Sequence, residues 1–375
     1  MTSERPLKTI CHCIISGGFG GIERQVASMV AEQRKRYTVR VLTAFTGGVF
    51  TEKMSRNGVA VDSLNLKSGM DINPGKIYSA WRIFRSCDLL HIHSFNPVFF
   101  LAALLSRRKI VFTFHGITEN RRRQTWSERV AQKMLSISIH SFVHKITAVS
   151  EFMREIIQNT FHYKKPIYVT YNIAPRIPEV REQADEIRRT LGLDKDHFVV
   201  LHFGRMVAEK GGDRLLQALA LTRQHDNIRA LFIGNGPHLN HLMESAKELD
   251  VQHAVTFIDF RENIHDYVRM ADIVALPSWN EPFGIVALEA LSLGKAPLIY
   301  KDGGGLLEIV APLKGYKLVV DSEEQMAERI VEYSQHPELL EKLASAGRAR
   351  AEEFNAANAI ETLDRIYFDR DNESA

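Results

Sequence analysis

The chain has 375 residues, 45% hydrophobic and 25% charged, with no low-complexity tract and no coiled-coil heptads, which excludes a disordered or fibrous protein. That length exceeds one ordinary core, so two domains are expected. Net charge is only +3, but residues 1–170 carry 25 Lys and Arg against 11 Asp and Glu while the remainder carries 23 against 34, so a strongly basic first half precedes an acidic second half.

The opening MTSERPLKTICHCII offers one seven-residue apolar run broken by Cys and His. It is too short and too polar for a signal peptide or a membrane span, and the run over 98–105 is also far below about 18 residues. A cytoplasmic protein is expected. Strands are expected over 8–15, 38–44, 59–64, 89–93, 110–115, 146–149 and 167–171 in the first half. In the second they are expected over 198–203, 230–233, 255–258, 273–276, 297–300 and 317–320. Amphipathic stretches such as IERQVASMVAEQRKR and GDRLLQALALTRQ lie between them. Strands alternating with helices build parallel sheets covered on both faces.

The alternation restarts after residues 172–197, where NIAPRIPEV leads into EQADEIRRTLGLDKD. This divides the chain into an N-terminal domain over 1–173, a C-terminal domain over 174–354, and a C-terminal helix over 355–375 that packs back on the first domain. The expected class is α/β, two doubly wound Rossmann-like domains facing across a cleft, with ligands at the carboxyl ends of the strands. Cys11 and Cys13 alternate onto one strand face and, like Cys87, read as buried thiols, since no second pair has zinc-finger spacing. His91 and His93 also share a face. With no acidic third ligand nearby, hydrogen bonding to loops is expected there rather than a metal.

Three strand ends carry chemistry. The first runs into SGGFGGIE, residues 16–23, where the glycines let backbone N–H groups approach a phosphate at a helix start. The third glycine of GxGxxG is missing and VRVLTAF ends without an acidic residue, so NAD is not expected. After FVVLHF come Gly204, Arg205 and Lys210-Gly211. A planar, always-charged donor and a point charge five residues apart suit a diphosphate. In EPFGIVALEA, residues 281–290, Pro282 suits the first turn of a helix and Gly294 its end. Glu281 then precedes the helix and Glu289 lies two turns in, about 12 Å further along the axis at ~1.5 Å per residue. That is the span from a sugar across a diphosphate to a ribose.

Arg205…Lys210-Gly211, Glu281-x7-Glu289 and Gly303-Gly304-x-x-x-Glu308, with Gly20-Gly21-Ile22-Glu23 and Phe114-His115-Gly116 before them, run in order through nearly the whole chain. The set resembles the retaining glycosyltransferases of family 4 (glycosyl transferases group 1), whose fold is GT-B. The resemblance implies a catalytic set of Arg205, Lys210, Glu281 and His115. Arg205 and Lys210 would neutralise the donor diphosphate, and His115 would lie near the sugar and acceptor. It implies that Glu289 holds the ribose, and that Glu281 with the backbone of Phe283 and Gly284 contacts the donor sugar. Gly20 and Gly21 would contact phosphate, the base would sit near Ile258 to Arg261, and Gly204 and Ile285 complete the donor-binding set. Two positions depart from the family pattern: Asn172-Ile173 stands where Asn-Gly is common, and Ile258-Asp259 where a glycine follows the strand.

The implied reaction moves a sugar, with retention, from a nucleotide-diphosphate sugar (a UDP-sugar) to a glycan or lipid-linked acceptor in bacterial lipopolysaccharide, capsule or exopolysaccharide synthesis. Asp194-Lys195-Asp196 precedes a strand and Asp369-Arg370-Asp371 is in the tail, so neither is placed as a metal-binding Asp-x-Asp. No metal and no further cofactor are expected. The alternatives are a sugar-nucleotide epimerase on the same fold and a non-catalytic nucleotide-sugar-binding subunit. Arg107-Arg108-Lys109 after VFFLAALL, and Arg121-Arg122-Arg123 before Trp126 and Lys133, suit peripheral attachment to an anionic membrane on its cytoplasmic face. No recognition motif supports nucleic acid as a partner.

Overall fold

The computed structural model describes residues 8–18, 20–69, 71–117 and 125–368. The chain forms two compact units: Met1–Ile173 with Asn355–Ala375, and Ala174–Phe354. All thirteen expected strands form.

In the first unit these are β1 (Thr9–Ile14), β2 (Thr38–Thr43), β3 (Ala60–Ser63), β4 (Leu89–Ile92), β5 (Lys109–Phe114), β6 (Lys145–Ala148) and β7 (Ile167–Val169). They make one parallel sheet in the order β3-β2-β1-β4-β5-β6-β7. The order reverses between β1 and β4, which places a crevice outside their carboxyl ends. Strands β4 and β6 are buried along their whole length, as expected where helices cover both faces.

The helix Ala356–Phe368 returns to this unit. Ile360, Leu363, Ile366 and Tyr367 repeat at helical spacing and are buried with Ile10, Met29, Leu89, Val111 and Ile173. Each such aliphatic side chain withdrawn from water contributes about 1.5–3 kcal/mol. Ile173, which stands where the family pattern has glycine, is clasped on both sides by one buried amide. Gln25 Nε2 donates to its carbonyl at 2.9 Å and Gln25 Oε1 accepts from its N–H at 2.7 Å. A side chain thus supplies the pairing that a neighbouring strand would otherwise give.

In the second unit the strands are β8 (Phe198–Phe203), β9 (Ile228–Ile233), β10 (Val255–Ile258), β11 (Ile273–Leu276), β12 (Ala296–Tyr300) and β13 (Val319–Val320). The parallel order is β10-β9-β8-β11-β12-β13, so the reversal falls between β8 and β11. Strand β13 is shorter than its apolar run because Lys317, at φ 51°, ends the preceding helical turn in a left-handed conformation. No helix among the described residues is long and apolar enough to cross a membrane.

Candidate functional site

The loops that follow β8 and β11, the two strands at the reversal of the second sheet, bring their charges together. After β8 the chain makes a single tight turn, Ala208–Lys210, that ends at Gly211 with φ 69°. The turn closes so tightly that a methyl group at Gly211 would stand 2.1 Å from the Pro277 carbonyl oxygen, so this crossing admits only glycine. Lys210 Nζ then donates to Glu281 Oε2 at 2.5 Å, with both side chains about one-fifth exposed. Backbone bonds hold the loops in register: Trp279 N to Glu209 O at 3.2 Å, Asn280 N to Asp302 O at 2.9 Å and Gly305 N to Glu281 O at 2.7 Å. Arg214 grips both oxygens of Asp302, at 2.8 and 2.6 Å, and its guanidinium holds that carboxyl below the usual range. The loops after β8, β11 and β12 are thus one hydrogen-bonded platform.

The stretch EPFGIVALEA is not helical from Pro282. The helix is Ile285–Ser292, and Pro282-Phe283-Gly284 form the turn before it. Gly284 takes φ 95°, and a methyl group on it would stand 2.2 Å from Leu306 Cδ2. A packing contact with Leu306, the first residue of the helix Leu306–Val310 that follows β12, and not the proline, therefore pins the turn from which the helix begins. Glu289 is its fifth residue, about one turn in rather than two, and Glu281 is on the loop, so the distance reckoned along a common helix axis does not hold. Gly294 does follow the end of this helix, at φ 71°.

Glu289 is 3% exposed. His265, from the helix Ile264–Met270, places Nε2 3.4 Å from Glu289 Oε1 and is itself buried. Nothing in IHDYVRM marked this histidine beyond a polar residue on a buried face. Arg205 is exposed and forms no ion pair among the described residues, unlike Lys210. Gly204 ends β8 at φ 132°. At the end of β10, Ile258 is buried and Arg261 exposed, while Phe260 between them is 60% exposed, an aromatic surface not anticipated from the sequence. Asp259, where the family pattern has glycine, accepts from Asn235 Nδ2 at 2.5 Å.

The remaining expected residues lie in the first unit. Gly20 caps the helix Gly21–Gln33, and its N–H donates to Glu23 Oε2 at 3.0 Å. Glu23 also accepts from Ser16 Oγ. The carboxylate thus occupies the donor expected to meet phosphate. Phe19 lies outside the described residues, as do Arg121, Arg122 and Arg123. His115 follows β5 and, with His93, lines a cavity of about 430 Å³ whose walls include Phe95, Phe114, Leu135 and Phe161.

His93 does bond to a loop residue, His115 just after β5, as well as to His12 of β1, whereas His91 bonds instead to Thr113 of β5 and Tyr367 of the last helix. The links form because β1, β4 and β5 are adjacent and their side chains share a face. His93 Nε2 meets His12 Nδ1 at 2.9 Å, His93 Nδ1 meets His115 Nε2 at 3.0 Å, and His91 bonds Thr113 at 2.6 Å and Tyr367 at 2.5 Å. Cys11, Cys13 and Cys87 are free and buried. Two groups among the described residues converge three potential metal ligands, His12–His91–His93 and Asp213–His238–His241. In the first, both nitrogens of every imidazole already meet hydrogen-bond partners. In the second, Asp213 accepts from His238 at 2.6 Å and sits 3.1 Å from His241.

Burial pushes His12 and His202 down to about 4, with the nearby Lys210 ammonium adding to the effect on His202. In the unfolded chain these rings titrate near 6.5, so between about 6.5 and 4 the unfolded state binds more protons. Stability is therefore expected to fall as pH drops through that window. The urea midpoint at pH 5 should lie below that at pH 7.5, and equal midpoints would contradict neutral burial of these rings.

Two family models match the chain: glycosyl transferases group 1 over residues 183–350 and glycosyltransferase family 4 over residues 19–174. An uncharacterized glycosyltransferase of Methanocaldococcus jannaschii is 29% identical over 234 residues, a match that spans 60% of this chain and 60% of that protein. The N-acetyl-alpha-D-glucosaminyl L-malate synthase of Bacillus anthracis is 24% identical over 292 residues, covering 75% of this chain and 74% of the synthase. Among solved structures, Anabaena HepE in complex with UDP has a TM-score of 0.79 at 22% identity and covers 96% of this chain and 99% of its own. That last likeness is one of fold.

Proposed function

The chain belongs to the family 4 glycosyltransferases (glycosyl transferases group 1) and has their GT-B fold, and on that premise we propose that it moves a sugar, with retention of configuration and without a metal, from a UDP-sugar to a glycan or lipid-linked acceptor of envelope polysaccharide synthesis. The observation that carries this reading is the Lys210–Glu281 pair at the ends of β8 and β11, with Arg205 exposed on the same loop. As the glycosidic bond to the diphosphate breaks, negative charge grows on the departing oxygens. Fixed cations aimed there are worth more in the transition state than in the ground state. Glu281 orients the flexible lysine before the donor arrives, so little side-chain freedom remains to be lost during the reaction. Glu289 takes the ribose hydroxyls, and Phe260 stacks on the base. UDP as the nucleotude is supported by the UDP complex of HepE, whose fold this chain shares.

Product analysis tests the reading. Purified protein is mixed in EDTA with UDP-hexoses or UDP-N-acetylhexosamines and lipid-linked oligosaccharide acceptors. Acceptor-dependent release of UDP and an α-linked product, read from the anomeric proton coupling, are expected. Release without acceptor would point instead to epimerase or hydrolase chemistry, and release only after a divalent ion is added would overturn the metal-free mechanism.

Attachment to an anionic membrane is part of the proposal. The basic first half leaves Leu104, Leu105 and Trp126 exposed at 47, 59 and 79%, on two helices that pack together. Apolar side chains beside cations favour an anionic interface. In flotation, vesicles with phosphatidylglycerol are expected to carry the protein upward and phosphatidylcholine vesicles are not. Absence from both would sink this part of the reading.

A further inference from the structure

Among the histidines of the first unit the family resemblance gives a role to His115 alone, yet this histidine ends a chain of hydrogen bonds that crosses three strands. His115 Nε2 meets His93 Nδ1 at 3.0 Å, His93 Nε2 meets His12 Nδ1 at 2.9 Å, and His12 Nε2 meets Gln33 Oε1 at 2.6 Å. Gln33, fully buried at the end of the helix Gly21–Gln33, turns its Nε2 to the Tyr367 hydroxyl at 3.3 Å. Tyr367 meets His91 Nδ1 at 2.5 Å, His91 Nε2 meets Thr113 Oγ1 at 2.6 Å, and Thr113 bonds Thr147.

The protons in this chain follow from the chemistry of its ends. An amide oxygen only accepts, so His12 must carry its proton on Nε2. A neutral imidazole has one N–H, so His12 Nδ1 accepts, and the donor is His93 Nε2–H. His93 Nδ1 then accepts from His115 Nε2–H, and His115 keeps its lone pair on Nδ1. The other branch closes in the same way: Gln33 Nε2–H donates to Tyr367, Tyr367 O–H to His91 Nδ1, and His91 Nε2–H to Thr113. No group is asked to donate twice from one proton. Turning the amide round would reverse both branches and move all four imidazole protons from Nε2 to Nδ1. Burial lowers His12 and His115 to about 4 and His91 and His93 well below 6.5, so the rings are neutral near pH 7, as the scheme needs.

We propose that Gln33, held by Tyr367, fixes His115 as the Nε2–H tautomer through His12 and His93, leaving Nδ1 as a hydrogen-bond acceptor. Gln33, His12 and His93 are then positioning residues. The tautomer stands on the hydrogen bonds with the Gln33 amide turned so that Oε1 faces His12. Its use in catalysis rests on the reading of His115 as the neighbour of the sugar and acceptor: an Nδ1 lone pair orients a hydroxyl by accepting from it, which the opposite tautomer cannot do.

Long-range proton–nitrogen correlation spectra of ¹⁵N-histidine-labelled protein at pH 7.5 decide the matter, with signals assigned through single histidine variants. The wild type is expected to show Nε2–H patterns for His12, His93 and His115. An Nδ1–H or averaged pattern at His115 would overturn the proposal without any variant. Gln33→Glu, which can still accept from His12, is expected to keep the His115 pattern, whereas Gln33→Leu is expected to release it to a mixture. An unchanged His115 in a folded Gln33→Leu protein would also overturn it. Turnover of Gln33→Leu is expected to fall about tenfold, with donor KM within twofold of wild type. Should the tautomers behave as stated and turnover not fall, the relay stands and the role given to His115 fails.

Discussion

Replacing Lys210 by alanine is expected to lower kcat by about 100- to 1,000-fold, the size of effect seen when one preorganised transition-state donor is removed. The argument starts from position. Gly211 forces the loop after β8 against Pro277, and that contact delivers the lysine to Glu281 at 2.5 Å. Folding should bear a smaller cost than catalysis, although more than an exposed ion pair would, because both side chains are only about one-fifth exposed and Glu281 loses its partner. The measurement is kcat beside the thermal midpoint. A large loss of turnover with a midpoint within a few degrees of wild type is the expected result. Turnover within threefold of wild type would remove Lys210 from the chemistry.

Glu289→Ala is expected to act on binding, raising donor KM by about 10- to 100-fold with a smaller change in kcat. Hydrogen bonds to a charged partner are worth about 1.5–3 kcal/mol, and a ribose held equally in ground and transition states contributes to KM. Glu289 is 3% exposed on a short helix whose start is set by Gly284 against Leu306, so its position is rigid. Steady-state kinetics with varied donor distinguish the cases. A fall in kcat at unchanged KM would mean that the carboxylate serves the reacting end of the donor instead.

The strands were legible because parallel strands covered on both faces read as short apolar runs, and β8 and β11 were found to the residue. The platform was legible only in its parts. Arg205, Lys210, Glu281 and Glu289 stand out by residue type, but the closure of Lys210 on Glu281 spans 71 positions and depends on backbone contacts around Gly211, Asp302 and Gly305. Pro282 misled because it suits the turn before a helix as well as a first helical turn. What decided between them was Leu306, more than twenty positions away, against Gly284. The histidine network was hidden for the same reason. Its links join residues 21, 81 and 276 positions apart, and no local pattern carries them.

A thermal-shift panel of UDP, GDP, ADP and CMP in EDTA tests the central claim, that the platform after β8, β11 and β12 holds a nucleoside diphosphate without a metal. A ligand bound only by the folded state raises the midpoint, by an amount set by its concentration over Kd. UDP is expected to raise it in the wild type and to do so much less in Lys210→Ala and Glu289→Ala. No shift with any of the four nucleotides, or an equal shift in the variants, would contradict the site.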